Sequence, residues 1–212
     1  MAKLNKGILG PFTGKIGPIV AVTRNNSVFI RSMPRKSNKP LTPGQIAAQK
    51  KFMLVHAEIY ALRPFIKEGF KHFVFYKSAM DIAFPINYHQ AISGVYPDLV
   101  VDYSQLVISE GRLQPLKEPV MALEAGNQIR VNWEVDWNNN SKIDDQVMLV
   151  LNCPVLGVAD GSVNIATRYL QECKFSIQSR MVGHEIHVYV GVLAANGKKA
   201  SKSQYLGRVL PV

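Results

Sequence analysis

Apolar residues recur at helical spacing in the stretch that follows Pro43. Four of them form one stripe with spacings of seven, four and three residues, and three more widen it: Ile46, Met53, Ala57 and Tyr60, with Phe52, Val55 and Ile59. The preceding Thr42-Pro43-Gly44-Gln45 matches a capping box, in which Thr42 is the N-cap and Gln45 reaches back to its backbone. This pattern predicts an amphipathic α-helix from Pro43 to about Leu62.

A second apolar stretch follows the Arg63-Pro64 step. Pro64 lacks the N–H that would bond to the carbonyl of Tyr60, so it interrupts the first helix. The stretch is unusually rich in aromatic residues: Phe65, Phe70, Phe73, Phe75, Tyr76 and Phe84. We expect a second helix from Pro64 to about Ala83, closed by Pro85.

The N-terminal part is rich in glycine and has β character. Two short β-prone runs, Ile19–Thr23 and Val28–Arg31, flank Arg24-Asn25-Asn26-Ser27. Asparagine tolerates the positive φ of a tight turn, so this pattern predicts a β-hairpin. Residues 33–40, which follow, are basic and carry a proline near each end. We therefore expect an extended arm there rather than a helix.

From residue 99 onward, short β-prone runs alternate with turn signals. Seven runs are candidate strands: Leu99–Tyr103, Leu106–Ser109, Gln128–Val135, Gln146–Asn152, Arg168–Ile177, Glu185–Ala194 and Ser203–Val209. The turn signals are Glu124-Ala125-Gly126-Asn127, Asn138-Asn139-Asn140, Asp160-Gly161, Val182-Gly183 and Asn196-Gly197. Strands spaced in this way indicate a small antiparallel β-sandwich, with Trp133 where an aromatic anchor is often buried.

These patterns together predict an α+β chain, in which an N-terminal β-hairpin plus two helices precedes a C-terminal antiparallel sandwich. The Pro-bounded stretch 114–119 has few apolar anchors, which makes it the natural domain boundary. We expect a basic hairpin-helical region over residues 1–113 and a self-contained sandwich over residues 118–212.

Positive charge is concentrated in the N-terminal half. Residues 1–90 contain fourteen Lys and Arg against Glu58, Glu68 and Asp81, a balance of +11, whereas residues 91–212 contain eleven against twelve acidic residues. Six basic residues on the arm and the first helix are our candidate interaction residues: Arg31, Arg35, Lys36, Lys39, Lys50 and Lys51. Such a surface could follow a phosphate backbone or lie on an acidic protein neighbour.

The sequence offers no nucleophile motif and no phosphate-binding loop, so we expect no enzyme and no cofactor. The stretch from Asp136 to Val147 begins like a calcium loop, but Ser141 replaces its glycine and Val147 its glutamate, and we expect no metal. His184 and His187 lie three residues apart at the start of a predicted strand. Residues at i and i+3 of a strand face opposite sides, so we expect the two imidazoles to diverge.

Two cysteines are present, Cys153 and Cys173. Reduced core thiols are the first interpretation, and a disulfide between neighbouring strands stays open as the alternative. The chain has no stretch of eighteen apolar residues, so we expect no membrane span. Its basic start is followed by glycines and prolines rather than an apolar core, so we expect no signal peptide.

Several short motifs, in order along nearly the whole chain, carry a family resemblance: Gly14-Lys15-x-Gly17, Ile30-Arg31-Ser32-x-Pro34, Pro40-x-Thr42-x-x-Gln45, Leu62-Arg63-Pro64-Phe65-Ile66, Asp102-Tyr103-Ser104 and Ser201-x-Ser203-x-Tyr205-Leu206-Gly207. The chain resembles a family of Bacteroidota proteins defined by a domain of unknown function and found in chromosomes and prophage-like contexts. Residues 31–52 are similar to a pattern in small tailed-phage proteins, with Lys39 where Asn is usual. The last strands, around Asn196-Gly197, are similar to the closing hairpin of Ig/fibronectin type III-like modules.

The resemblance brings no known activity, but it implies a setting. We expect a non-enzymatic structural or assembly protein of a phage or phage-derived particle, made in the bacterial cytoplasm. Its partners would be other protein subunits, a second copy of the chain included. The alternative is a nucleic-acid-binding accessory protein that uses the basic N-terminal half. A surface adhesion module would need an export route that the sequence does not show.

The capping box gives a first testable prediction. If the Thr42 hydroxyl accepts a hydrogen bond from the first helical turn, Thr42→Ala should lower the free energy of unfolding by about 1 kcal/mol. Thr42→Ser keeps the hydroxyl and should be nearly neutral. Denaturant melts in which the two variants behave alike would place the start of the helix elsewhere.

Overall fold

The computed structural model describes residues 3–4, 12–24, 27–34, 39–74, 77–136 and 141–212. The chain divides into two compact units, Met1–Thr42 and Pro43–Val212. The described residues form three α-helices and thirteen β-strands, and within each sheet neighbouring strands run antiparallel. The protein is therefore a mixed fold of helices and antiparallel sheets.

The first unit is a single sheet with the strand order β1-β2-β3-β4. Its strands are β1 (Lys3–Leu4), β2 (Phe12–Ile16), β3 (Ile19–Arg24) and β4 (Ser27–Ser32). β3 and β4 occupy the place of the two predicted runs, and the predicted turn at Asn25-Asn26 lies outside the described residues. Sequence analysis missed β2, which reaches β3 through Gly17 at a φ of 54°, a conformation that glycine adopts without strain.

The helices of the second unit are α1 (Pro43–Ala61), α2 (Arg63–Gly69) and α3 (Ala79–Gln90). α1 confirms the predicted first helix. The single second helix predicted from Pro64 to Ala83 is wrong, because the chain breaks after Gly69 and starts again at Ser78. There the Asp81 N–H donates to Ser78 Oγ at 3.2 Å and the Ser78 N–H donates to Asp81 Oδ2 at 3.3 Å, which closes a capping box.

Two further details of this region differ from the expectation. Pro85 lies inside α3 rather than closing a helix. Phe65 and Phe70 are buried, Phe73 and Phe84 are not, and Phe75 and Tyr76 lie outside the described residues. The aromatic density of the segment is thus divided between the core and the surface.

The remaining strands of the second unit are β5 (Ile92–Ser93), β6 (Val100–Val101), β7 (Lys117–Glu124), β8 (Gln128–Glu134), β9 (Gln146–Cys153), β10 (Val158–Thr167), β11 (Glu172–Ser176), β12 (Ile186–Leu193) and β13 (Gln204–Val209). They form a four-stranded sheet ordered β10-β9-β12-β13, a three-stranded sheet ordered β11-β8-β7, and the small pair β5-β6.

Four of the seven predicted strands are confirmed, as β8, β9, β12 and β13. Residues 106–109 are irregular and buried, and the runs predicted at 99–103 and 168–177 contain only the shorter strands β6 and β11. β7 and β10 were missed. Asp160-Gly161 lies inside β10 rather than in a turn, because Gly161 adopts a φ of 141° and lets Leu149 of β9 come close.

The four-stranded sheet is covered on both faces. On one face, β9 and β12 share a core with the three-stranded sheet, and this core includes Ile129, Val131, Trp133, Val147, Leu149, Leu151, Val188 and Val190. On the other face, Met148, Val150 and Tyr189 pack under the helices against Ile59, Leu62, Ile66, Phe70 and Ile108. The sheet is therefore the middle of three layers.

The predicted boundary at residues 114–119 lies within the second unit. Leu113 and Leu116 are buried in the core between the sheets, and β7 begins at Lys117. The carbonyls of Gln114 and Pro115 accept hydrogen bonds from the Arg168 guanidinium. Residues 113–116 are therefore packed and hydrogen-bonded to the sheets. Independent folding of residues 118–212 stays a prediction.

Arg168 is buried at the centre of a network of hydrogen bonds and one ion pair. Its guanidinium forms an ion pair with the equally buried Asp145, with 3.5 Å between Nε and Oδ2. Its backbone N–H donates to the Asp145 carbonyl at 2.8 Å, and its own carbonyl accepts the Trp133 indole N–H at 2.8 Å. This network connects the residues just before β7, the residue just before β9 and the residue just after β10, at one end of the two sheets.

Two helical glycines give a matched pair of substitutions. A Cβ added at Gly69 would lie 2.5 Å from the Ile108 carbonyl oxygen and 2.6 Å from Ser109 Cβ, whereas a Cβ added at Gly44 meets nothing within 4 Å. Gly69→Ala should lower the free energy of unfolding by roughly 1–3 kcal/mol, because backbone has to move. Gly44→Ala should raise it by about 0.5 kcal/mol. Equal effects of the two changes in denaturant melts would contradict the close packing of α2 on residues 108–109.

Candidate interaction surfaces

The six predicted interaction residues belong to different parts of the structure. Arg31 lies on β4 and Lys39 near the end of the arm, both in the first unit and both exposed. Lys50 is exposed on α1 of the second unit. Arg35 and Lys36 lie outside the described residues. Within one element, the structure brings together only Lys50 and Lys51 among the described members of the set.

Lys51 is engaged in packing between helices. Its side chain is half-buried, and its ammonium group lies 4.4 Å from the centre of the Tyr88 ring on α3. A cation over an aromatic face is attracted by the ring quadrupole, so this contact helps to hold α1 against α3. Lys51 is therefore less available to a partner than Lys50.

β4 has no buried residue. Phe29 and Ile30 are each 60% exposed, and Val28 is exposed beside them. Among the residues of the first unit whose side chains the structure describes, Ala21 is the single buried one. The described side chains of this sheet therefore form no hydrophobic core of their own. The sequence feature that corresponds to this exposure is the run Val28-Phe29-Ile30. Successive residues of a strand face opposite sides, so such a run places apolar side chains on both faces of β4.

The apolar stripe predicted on α1 is mostly a surface. Met53 is 62% and Tyr60 58% exposed, whereas the residues that face the core are Val55 and Ile59. The apolar residues predicted for α1 are therefore divided between the core and the surface, because only the face that carries Val55 and Ile59 packs in the core beside the sheet.

Exposed rings on α1 and α3 line a groove of about 470 Å³. Along α1, the Phe52 and His56 ring centres are 6.2 Å apart and the His56 and Tyr60 centres 5.9 Å apart, and both pairs are stacked. Phe52 also packs against Phe84 of α3, and the centres of these two rings are 4.5 Å apart. Arg63 and Asp81 contribute charged groups to the lining. The groove offers aromatic faces and a cation to whatever enters it.

A cluster of titratable groups lies between the helices and the middle sheet. Tyr103 Oη donates to Glu58 of α1 at 3.3 Å, and Tyr189 Oη donates to the Tyr103 carbonyl at 2.8 Å. His187 stacks on the Tyr103 ring at 4.0 Å, and its Nδ1 lies 2.9 Å from the Tyr205 hydroxyl. We call this set, Glu58, Tyr103, His187, Tyr189 and Tyr205, the interlayer cluster.

Burial sets the protonation of the interlayer cluster. It raises the pKa of Glu58, Tyr103 and Tyr189, and it lowers the pKa of His187 against the opposing effect of the Glu185 carboxylate. Tyrosine and histidine are therefore held in their neutral forms, in which they exchange hydrogen bonds across the layers. The cluster connects the helices to the sheet, and His187 is only 6% exposed.

The other residues singled out in the sequence are packed. Cys153 and Cys173 are free thiols and both are buried, and burial raises the pKa of Cys173 to about 11. Asp145, from the calcium-like stretch, pairs with Arg168 instead of facing solvent. Residues 137–140 of that stretch lie outside the described residues. In the part of the chain that the structure describes, no three His, Cys, Asp or Glu residues gather as metal ligands would.

Among the described helices, none combines the length and the apolar character that a bilayer crossing requires.

A family of unknown function, DUF6266, matches residues 11–207, and the chain belongs to this family. No curated protein matches the chain. Among solved structures, the chain is similar to the fn3 domain of human collagen alpha-1(XX) chain, at 15% identity and a TM-score of 0.33. That likeness covers 49% of this chain and 89% of the other.

The interlayer cluster predicts how stability depends on pH. Because the folded pKa of His187 lies below its value in the unfolded chain, its contribution is fully present above about pH 6.5 and is lost as pH falls further. The contribution of His187 to the free energy of unfolding should therefore decline on acidification from about pH 7 to 5, whereas the raised pKa of Glu58 acts in the opposite sense. His187→Gln should remove this contribution, so the free energy of unfolding of the variant should fall less on acidification than that of the parent chain. An unchanged slope in the His187 variant would mean that other groups set the pH dependence.

Proposed function

We propose that this protein is a non-enzymatic structural or assembly component, part of a phage or phage-derived particle, and that its basic N-terminal surface docks on neighbouring subunits. The observation that carries the proposal is the first unit, residues 1–42. It contains eight Lys and Arg and no Asp or Glu, and its described part forms a sheet with one buried side chain. A sheet without a core gains stability when a partner covers it.

The proposed interaction residues are those predicted from the sequence: Arg31, Arg35, Lys36, Lys39, Lys50 and Lys51. Arg31 and Lys50 carry most of the support from the structure, since both are exposed. Lys51 carries less, because it lies on the Tyr88 ring. In the proposed setting, the protein is made in the bacterial cytoplasm and then becomes part of the particle.

The proposed architecture is a basic hairpin-helical region, residues 1–113, followed by an Ig/fibronectin-like sandwich, residues 118–212. Its support is the pairing of a three-stranded with a four-stranded antiparallel sheet over a common core. In a particle, the helical layer would be the part that distinguishes this chain from a bare sandwich.

A nucleic-acid-binding accessory role is the second candidate. The observation that favours it is the aromatic groove, since stacked exposed rings beside Arg63 resemble a platform for single-stranded bases. The first candidate is preferred because the sheet of the first unit exposes aliphatic side chains, Val28 and Ile30 among them, which bases and phosphates do not cover.

A charge-removal experiment separates the two roles. The variant changes Arg35, Lys36 and Lys39 to Gln, and the matched control changes Lys198, Lys199 and Lys202, which are exposed in the second unit, to Gln. Co-sedimentation with particles from the native host measures assembly, and retention of single- and double-stranded DNA over a range of salt measures nucleic-acid binding.

We expect the arm variant to be lost from particles, the control to be retained, and DNA binding to be weak for both. If the arm instead binds phosphates, affinity should fall with salt at a log–log slope of about −0.9 per phosphate, and the arm variant should lower the slope by about three. Tight DNA binding that disappears in the arm variant would favour the accessory role. Normal incorporation and unchanged DNA binding would contradict both.

A further inference from the structure

β4 is an edge strand whose outer side pairs with no described residue. It pairs with β3 from Ile19↔Ser32 to Arg24↔Ser27, and it closes the strand order of its sheet. An edge strand presents a row of backbone N–H and C=O groups, and proteins usually protect such edges with charges, bulges or a covering element. β4 carries one charged residue, Arg31, and it is exposed along all six positions.

Both faces of this edge offer apolar contacts to an arriving strand. Val28 and Ile30 lie on one face of β4. Phe29 lies on the other face, where it pairs across the strands with Val22 of β3, which is 46% exposed. A strand added beside β4 would place its own side chains next to these groups on both faces while its backbone satisfies the open edge. An added strand would therefore make most of its apolar contacts with Val28, Phe29 and Ile30.

Charge selects the chemistry of that strand. The first unit carries eight cations and no acidic residue, so pairing of β4 with the same sheet of a second copy would bring like charges together. Nucleic acid would supply negative charge but neither strand hydrogen bonds nor apolar side chains. An extended peptide in which acidic and apolar residues alternate supplies all three.

We propose that β4 accepts, as a fifth strand of its sheet, an extended acidic-apolar segment of a neighbouring protein subunit. The inference rests on the proposed assembly function and specifies how the docking occurs. Backbone pairing along β4 provides the geometry, burial of Val28, Phe29 and Ile30 provides the apolar contribution, and the basic residues around it attract the acidic partner.

The first test uses a defined probe and the full chain. The probe is an eight-residue peptide of alternating valine and glutamate, and the control probe alternates valine and lysine. Hydrogen–deuterium exchange of the amides at residues 27–32 is measured with and without each peptide. We expect the acidic peptide to slow exchange at alternate positions of β4 and the basic peptide to have no effect.

A matched pair of substitutions tests the position of binding. Ile30→Lys places a charge on the edge at an exposed site, so the sheet should still form. The change should lower the affinity for the acidic peptide by about tenfold or more. Val120→Lys makes the same change at a 65% exposed position of β7, also an edge strand, and should leave binding unchanged. Equal effects of the two variants would overturn the proposal.

Three further results would overturn it. Slow exchange in the free monomer at the outward-pointing amides of β4, those not bonded to β3, would mean that the chain covers this edge itself. Slow exchange that depends on protein concentration would mean that a second copy does. Binding of the acidic peptide without protection of β4 would assign the attraction to the basic residues alone.

The particle assay distinguishes this inference from the proposed function. If the arm variant is lost from particles while Ile30→Lys is incorporated normally, the assembly function stands and strand addition at β4 is wrong. If both are lost while Val120→Lys is retained, both proposals are supported. If all variants are incorporated, the assembly function itself fails.

Discussion

Strands β9 and β12 have to be covered on both of their faces, and the architecture of the second unit depends on that constraint. Alternate residues of β9 point into the core between the sheets and under the helices, as Leu149 and Val150 do. In β12, Val188 and Tyr189 divide in the same way. Burying a large apolar side chain contributes about 1.5–3 kcal/mol, so neither the three-stranded sheet nor the helical layer can be removed without a large loss of stability.

Polar groups fix how these layers are arranged. Apolar burial has little direction, whereas the interlayer cluster has to match donors with acceptors across the gap between α1 and the middle sheet. The polar network around Arg168 does the same at one end of the two sheets, where it connects Arg168 with three other stretches of chain, at Pro115, Trp133 and Asp145. A buried ion pair of this kind adds little net stability, but removing one partner leaves an uncompensated charge. Such contacts favour one arrangement over alternatives that bury a similar apolar area.

The two units differ in how they satisfy their side chains. The second unit buries its apolar residues in two cores and leaves an aromatic groove on the outer side of its helices. The first unit concentrates cations and presents Phe29 and Ile30 to solvent. The proposed assembly role would account for the exposure in the first unit, because a partner would complete its sheet, whereas the second unit already covers its own middle sheet.

The sequence by itself determined the elements whose signals are local. A capping pattern placed the start of α1 at Pro43, period-2 alternation placed β8 around Trp133, and composition located the basic half. Tertiary structure alone decided the rest. Gly69 ends α2 where residues 108–109 lie against it, and the buried face of α1 is the one that meets the sheet. For β4, the run Val28-Phe29-Ile30 indicates only that both faces of the strand carry apolar side chains. Whether they are buried depends on whether another layer lies opposite them, and no local pattern records that.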